Sequence, residues 1–292
     1  MYDLILRGAR VVDPLNGLDA VADVAVENGK IAEVAPTIAG SGREEIDFTG
    51  LVVQPGIIDS HVHLGSIWGS PFGPKMLAMA GVTTCLDMAG PLADVLDNVP
   101  QYGAGINMAI LQYASPPFTF KTSSPSEAEM VELIETSLAE GALGVKLLGG
   151  HYPLEPKVSS LLVKTALERR AYVAWHAGTT ENGSNINGMR EAVEMAAGRP
   201  LHLAHINAYC RGAVKPEMEE CAEAEDLLIA NPNILCEAYV SPKNGTRLTC
   251  GPDGTILSKV TGNCLRRFGF SEDREGVRAA LLAQKAFVVY DA

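Results

Sequence analysis

The predicted secondary structure changes at residues 53–63, which read VQPGIIDSHVH, from short strands to an alternation of strands and helices. Residues 53–59 are largely apolar, with an interruption at Pro55-Gly56, and predict a β-strand that leads directly into His61 and His63. Side chains two residues apart project to the same side of an extended chain, so this pair can bind one cation. The segment therefore predicts a strand with a metal-binding pair at its carboxyl end.

Apolar strands and amphipathic helices alternate after this segment. We expect strands at residues 81–87, 106–112, 142–148, 171–176, 201–205, 234–240 and 286–290, and helices at 124–140, 158–170, 189–197 and 216–230, with a further short helix before the last strand. Ser124 is expected to cap the first of these helices, with Glu127 completing a capping box. Residues 251–254 read GPDG and predict a turn between two short strands. This alternation is typical of a parallel sheet with crossover helices and predicts an α/β fold.

Residues 1–52 predict a small β-domain ahead of the α/β domain at residues 53–292. Short apolar runs at residues 3–7, 22–27 and 30–34 are separated by turn signals. Asn28-Gly29 joins the last two runs, and both residues tolerate the positive φ that a type I′ hairpin turn requires.

The composition of the 292 residues limits the class of function. Hydrophobic residues make up 47% and charged residues 20%, which provides ample material for a buried core. The net charge of -12 argues against nucleic-acid binding, which needs a basic face. No apolar run is long enough to span a bilayer, the N-terminus lacks a signal peptide, and the scattered cysteines predict reduced thiols. We therefore expect a cytoplasmic homo-oligomer with a small-molecule partner, and neither a nucleic-acid nor a membrane partner.

Four of the six histidines stand at or near the carboxyl ends of predicted strands. His176 ends the strand at 171–176, and His205 follows it by 29 residues at the end of the next strand. Lys146 precedes His176 by 30 residues, and one unit of a TIM barrel averages roughly 31 residues. The 83 residues from His63 to Lys146 are a little under three units. The spacing places these residues on strands one, four, five and six of a TIM-type (β/α)8 barrel, at the mouth where such enzymes have their active sites.

Lys146 lies within residues 143–148, LGVKLL, an apolar strand in which an ammonium group would be poorly solvated. Taken alone, it would be interpreted as half of a buried ion pair, or as a lysine that reaches solvent from the end of the strand. Four suitably spaced histidines favour a third interpretation, a lysine carboxylated by CO2. The carbamate is an anion and can bridge two cations.

Residues 54–63 resemble the metal-binding signature of the amidohydrolase superfamily. Residues 2–8, YDLILRG, and residues 24–35 resemble the strands of its N-terminal β-sandwich. The similarity covers essentially the whole chain and is closest to the dihydroorotase, hydantoinase and N-acyl-amino-acid deacylase branch. HxH alone is moderately specific, but together with the lysine and the two later histidines in this order it is strong. The resemblance implies a TIM-type (β/α)8 barrel, here with an incomplete or atypical last unit, and a small N-terminal β-sandwich segment.

The same resemblance implies a set of ligands for two divalent metal ions, which we expect to be Zn2+. His61 and His63 would hold the more buried ion, and His176 and His205 the more exposed one. Carboxylated Lys146 and a hydroxide would bridge the two ions. Such a pair lowers the pKa of bound water and polarises the scissile carbonyl, and imidazole ligands suit zinc but also iron and nickel.

One ligand of the family pattern has only a weak candidate. The family places an aspartate at the end of strand eight, where it binds the buried metal and transfers the proton to the leaving nitrogen. The late candidate here is Asp291, after which the chain ends without an eighth helix or the closing strands of the sandwich. We therefore expect that the sequence lacks its C-terminal part, and no catalytic proton carrier is assigned.

Three further side chains are interpreted by their position. His151 follows Gly149-Gly150 on the predicted rim, where hydantoinase-like relatives use a tyrosine to hydrogen-bond the reacting carbonyl. His151 or Tyr152 could make that contact, with a plain loop position as the alternative. His202 is one residue off the facing pattern of its strand and is expected to pack against a helix. Cys85 lies inside a strand and is expected to be a core thiol, although some deacylases use a cysteine as a metal ligand.

The leading hypothesis is an amidohydrolase that cleaves a C–N bond other than a peptide bond through a metal-bridging hydroxide. Its substrate would be a cyclic amide or an N-acyl amino acid. A deaminase or a lactone- or ester-cleaving enzyme of the same fold is an alternative, although Lys146 argues against the mononuclear deaminases. A non-catalytic homologue that acts as a scaffold is the alternative from a different class.

Overall fold

The computed structural model describes residues 1–65, 71–239, 244–246, 250–257, 261–262, 265–266 and 268–288. The chain divides into two compact units, Met1–Ile57 and Ile58–Ala292. Asp291 and the last two residues of the strand predicted at 286–290 lie outside the described residues. No helix in the described ranges is long and apolar enough to cross a membrane.

The N-terminal unit contains a single mixed sheet of five strands. The strands are β1 (Tyr2–Asp13), β2 (Leu18–Glu27), β3 (Lys30–Ala35), β4 (Gly42–Asp47) and β5 (Val52–Val53). Their order is β3-β2-β1-β4, with β5 also paired to β1; β1, β2 and β3 are antiparallel, whereas β4 and β5 run parallel to β1. Asn28 and Gly29 both have positive φ, and Glu27 pairs with Lys30, so the predicted hairpin is confirmed.

A buried carboxylate organises one side of this sheet. Asp23 is 6% exposed and accepts hydrogen bonds from the backbone N–H groups of Gly8 at 2.9 Å and Ile38 at 3.0 Å. Arg7 Nη1 donates to the same carboxylate at 2.7 Å. Buried polar groups are tolerated where they are hydrogen-bonded in this way, so Asp23 links β2 to β1 and to the segment after β3.

The second unit is built on a seven-stranded sheet whose strands neighbour each other in chain order. The strands are β6 (Ile57–Val62), β7 (Val82–Ala89), β8 (Asn107–Ala114), β9 (Gly144–Leu148), β10 (Tyr172–His176), β11 (Leu201–Leu203) and β12 (Ile234–Cys236). Each pair from β7 to β12 is parallel. The helices are α1 (Gly73–Met79), α2 (Leu92–Tyr102), α3 (Glu127–Ala139), α4 (Pro156–Glu168), α5 (Ile186–Ala196), α6 (Glu217–Ala230) and α7 (Arg274–Leu282). A separate pair of parallel strands, β13 (Asn244–Thr246) and β14 (Ala286–Val288), lies outside the main sheet.

Alternate residues of each strand face opposite layers of this unit. In β10, Val173 and Trp175 are buried with side chains from helices α3 to α6. Tyr172 and Ala174 instead face the interior of the curved sheet. There Ala174 packs with Met88 of β7, with Leu111 of β8 and with Ala204, which directly follows β11. His176 shares the inward side of β10 with Tyr172 and Ala174, so the chain directs it toward the mouth of the sheet.

Several boundaries differ from the sequence-based expectation. Helix α3 is capped by Ser126, not Ser124: Ser126 Oγ accepts from Glu129 N, and Glu129 Oε2 accepts from Ser126 N. Two overlapping Ser-x-x-Glu patterns occur here, and Ser124 instead donates to Glu155 at 3.2 Å. Helices α1 and α2 were not predicted, because α1 has only seven residues and α2 contains Pro100.

The predicted turn at residues 251–254 is present. Gly254 N donates to Gly251 O at 3.0 Å, and Cys250 pairs with Ile256 across the turn.

Candidate metal centre

The four predicted histidine ligands lie side by side at the carboxyl end of the parallel sheet. His61 is in β6 and His63 follows its end, His176 is the last residue of β10, and His205 stands two residues beyond β11. The ring centroids of His63 and His61 are 5.1 Å apart, those of His61 and His205 5.2 Å, and those of His205 and His176 4.4 Å. The fold thus brings residues from three separate strands into one row of imidazoles.

Lys146 lies in the middle of β9, with 1% of its surface exposed. Its Nζ contacts Met88 Sδ at 3.4 Å and forms no ion pair within the described part of the chain. Burial lowers the pKa of Lys146 to about 7, although the negative charges of Glu237 and Asp87 act to raise it. Neither ordinary interpretation of this lysine applies, since it reaches no solvent and has no carboxylate partner among those residues.

Burial also decides the charge of the imidazoles. It is the main cause that lowers the pKa of His61, His176 and His205, and the nearby Lys146 charge adds to it. A neutral imidazole has one nitrogen with a free lone pair, which is the form that binds metal ions. His176 Nε2 is 2.8 Å from Ser184 Oγ.

These residues fit a metal centre by their chemistry, although their side chains are not arranged around a common point. Among the described residues, no group of three histidine, cysteine, aspartate or glutamate side chains has an arrangement that holds a metal ion. His205 Nδ1 is nevertheless buried without a hydrogen-bond partner among the described residues, so it is available to a ligand. Neutral imidazoles are ligands that suit a divalent ion such as zinc, and the buried amine of Lys146 would add an oxygen donor only after carboxylation.

Two glycines let the loop after β9 approach His176 closely. A Cβ on Gly150 would lie 2.0 Å from His176 Nε2, and one on Gly149 would lie 2.1 Å from Gly178 O. The loop then places the ring centroid of His151 6.1 Å from that of His176. Burial lowers the pKa of His151 to about 4, so its imidazole is neutral at pH 7. His151 and the adjoining Tyr152 therefore lie beside the row of histidines; a contact with substrate stays a prediction.

Glu237, which follows β12, was not predicted to belong to this site. Its Oε1 is 2.5 Å from His61 Nδ1, and its Oε2 accepts a hydrogen bond from the backbone N–H of His205. Burial alone would raise the pKa of Glu237, but the His202 and His61 imidazoles lower it far below its usual range. The signal in the sequence was the one used for Lys146, a charged residue inside a predicted strand.

The expectation that His202 packs against a helix is wrong. His202 pairs in register with Ala174, so both face the interior of the sheet, and its Nδ1 is 2.8 Å from Tyr172 OH. Its Nε2 lies 3.5 Å from Glu237 Oε1. The prediction counted alternate residues back from His205, but β11 ends at Leu203 and His205 has a φ of 36°, so strict alternation does not reach it.

Cys85 is the core thiol that was expected. It is 2% exposed and packs with Val82 of the same strand and with Leu92 and Val95 of α2. Burial raises the pKa of its thiol to about 11, which keeps it protonated.

No protein family model matches the chain. A dihydroorotase of Streptococcus pneumoniae is 32% identical over 205 residues, which are 68% of this chain and 47% of the relative. The chain spans about half the length of the curated relatives that it matches over most of its own length.

Two solved structures show the fold. An N-acyl-D-glutamate deacylase of Bordetella bronchiseptica, complexed with zinc and a phosphonate inhibitor, has a TM-score of 0.64 at 16% identity, covering 99% of this chain and 76% of that one. An L-hydantoinase of Arthrobacter aurescens has a TM-score of 0.57 at 18% identity, covering 82% of this chain and 58% of that one. The parallel sheet is therefore that of a TIM-type barrel, as predicted. The dihydroorotase relatives carry the family assignment, and the chain belongs to the amidohydrolase superfamily.

Proposed function

We propose that the protein is a metal-dependent hydrolase that cleaves a C–N bond other than a peptide bond, in an amide or a cyclic amide. The observation that carries this proposal is the row of four adjacent imidazoles beside a buried lysine that has no carboxylate partner in the described residues. The names of the relatives, a dihydroorotase and an N-acyl-D-glutamate deacylase among them, support this bond type. We further assign it a small-molecule substrate and a cytoplasmic location.

The residues have distinct roles in this proposal. His61 and His63 would hold one divalent ion and His176 and His205 a second, and Lys146, carboxylated by CO2, would be the ligand that the two ions share. Two zinc ions, when bound, supply a Lewis acid for the scissile carbonyl and a hydroxide nucleophile from water at neutral pH. Burial favours the neutral amine of Lys146, which is the form that reacts with CO2. His151 offers a hydrogen-bond donor to the reacting carbonyl from the rim.

Metal analysis tests the proposal most directly. The purified protein, dialysed and reconstituted with Zn2+ in bicarbonate buffer, should hold about two equivalents per chain, and fewer when CO2 is removed. Lys146→Ala should lose the second equivalent because no group is left to bridge the pair. Lys164→Ala, at an exposed lysine of α4, is the matched control and should keep both ions. A folded wild-type protein that binds no zinc would favour the scaffold alternative and overturn the proposal.

A substrate screen separates the enzymatic alternatives. The reconstituted protein is offered hydantoins, dihydroorotate, lactams and N-acyl-D-amino acids, together with lactones and amino-substituted heterocycles. Ring opening or deacylation at a C–N bond is the expected result. Ammonia release from the heterocycles, or activity restricted to lactones, would instead support the deaminase or the lactone- and ester-cleaving alternative.

A further inference from the structure

The carboxylate of Glu237 joins the ends of three strands at the metal centre. Glu237 follows β12, His61 belongs to β6, and His205 follows β11. Oε1 contacts His61 Nδ1 at 2.5 Å, whereas Oε2 accepts from the backbone N–H of His205. Both carboxylate oxygens are therefore occupied by protein donors, and each donor belongs to a predicted metal ligand.

This contact decides which nitrogen of His61 carries the proton. An ionised carboxylate only accepts hydrogen bonds, so the Nδ1 that it contacts must be the donor. In a neutral imidazole the lone pair is then on Nε2, the nitrogen that Glu237 does not touch. A carboxylate on the far nitrogen of a histidine fixes its tautomer and ring orientation and makes the other nitrogen a better metal ligand.

Glu237 also lies near a histidine in the interior of the barrel. Its Oε1 is 3.5 Å from His202 Nε2, which is buried and forms no hydrogen bond within the described residues. His202 Nδ1 is 2.8 Å from Tyr172 OH, and His202 is 6% exposed. The hydrogen bonds of Glu237 that carry the argument are therefore those to His61 and to the backbone N–H of His205.

We propose that Glu237 is a positioning residue of the metal centre, which holds His61 in its metal-binding tautomer and anchors the backbone at His205. This inference rests on the proposed function, since it needs His61 and His205 to be ligands. It assigns Glu237 the role of holding His61 and the backbone at His205, which its two oxygens contact, and no role in the reaction itself.

Two substitutions remove the acceptors in steps. Glu237→Gln keeps the volume but has one acceptor oxygen and one NH2 group, so it can satisfy His61 Nδ1–H or His205 N–H but not both. Glu237→Leu removes both acceptors at similar volume. Glu223→Gln is the matched control, because Glu223 pairs with Arg190 and Lys215 away from the histidines.

The first readout is the Zn2+ affinity of metal-free protein, measured by competition with a chromophoric chelator. Loss of such an outer carboxylate typically weakens metal binding by about 10–100-fold. We expect about that loss in Glu237→Gln, a larger one in Glu237→Leu and none in Glu223→Gln. Circular dichroism checks the fold; if Glu237→Leu does not fold, Glu237→Gln carries the test.

The second readout is the His61 tautomer, from NMR of metal-free protein labelled with 15N-histidine and assigned with a His61→Asn variant. Wild type should carry the proton on Nδ1, and Glu237→Leu should shift it toward Nε2. A wild-type proton on Nε2, or variants that bind Zn2+ as tightly as wild type, would overturn the inference. A wild type that binds no Zn2+ would contradict the proposed function and the inference with it, whereas a wild type that binds Zn2+ no more tightly than its Glu237 variants would contradict the inference alone.

Discussion

Replacing Lys146 by methionine is expected to stabilise the metal-free protein and to abolish the proposed binding of a second metal ion. Lys146 is 1% exposed, and its Nζ contacts Met88 Sδ at 3.4 Å. Methionine has nearly the same length and a flexible thioether that fills irregular apolar space. The substitution therefore removes the buried amine and keeps most of the packing.

The size of the effect follows from the pKa of the lysine. Burial lowers this pKa from 10.5 to about 7, and each pKa unit is worth about 1.4 kcal/mol. Below pH 7 the folded protein therefore carries a penalty of about 5 kcal/mol for the buried ammonium. Between pH 7 and 10.5 the unfolded state binds more protons than the folded state, so the stability of wild type rises with pH and the penalty disappears. Methionine removes both the penalty and this pH dependence.

Urea unfolding of metal-free protein in CO2-depleted buffer measures the difference. We expect Lys146→Met to exceed wild type by about 5 kcal/mol at pH 6 and by about 2 kcal/mol at pH 9. Tryptophan fluorescence can follow the transition, since Trp175 is 1% exposed in the adjoining strand. The control Lys164→Met changes a lysine whose side chain is 54% exposed and should differ from wild type by less than about 0.5 kcal/mol.

Two results would refute this reasoning. One is a Lys146→Met protein that is no more stable than wild type at pH 6. The other is a difference in stability that does not change between pH 6 and pH 9, because a penalty caused by protonation must decrease as the amine loses its proton.

Two further predictions concern positions outside the ligand set. Gly150→Ala would place a Cβ 2.0 Å from His176 Nε2, so the ring must move by more than 1 Å and Zn2+ titration should show the loss of one equivalent. The control Gly183→Ala, whose Cβ meets nothing nearer than 3.6 Å, should retain both equivalents. A Gly150→Ala protein that binds two equivalents tightly would contradict this prediction. The pKa of Asp23 is lowered by the Ile38 N–H and by Arg7, so its contribution to stability is present above about pH 4 and is lost as the pH falls. Asp23→Asn should cost about 1–3 kcal/mol at pH 7 and less at pH 3 in thermal unfolding; an equal cost at both pH values would argue against this role.

The position of the proposed ligands at one end of the sheet could be predicted from the sequence because each of them follows from local information. Two residues of extended chain place His61 and His63 on one side, and the distance of about one βα unit places Lys146, His176 and His205 at the same end of a parallel sheet. The structure confirms the strands that carry these residues and the adjacency of the imidazoles.

The errors arose where local patterns compete or end. Two overlapping Ser-x-x-Glu patterns start helix α3, and the choice of Ser126 leaves Ser124 to contact Glu155, which is 31 residues away. Alternation along β11 failed for His202 because the strand has only three residues before the backbone turns at His205. In both cases the side chain contacts a residue far away in the sequence, Glu155 for Ser124 and Tyr172 for His202, and a short local pattern carries no information about such a contact.

The amino-acid sequence by itself therefore determined the βα repeat, the strand that ends in His61, and the residues that meet at the mouth of the barrel. Only the tertiary structure decided how those residues are supported: Glu237 contacts His61 across 176 residues of chain, and His202 turns inward to Tyr172 and Glu237. The physical reason is that periodicity reports which face a side chain occupies within its own strand. The curvature of the whole sheet is what brings its first and last strands close enough for a carboxylate to join them.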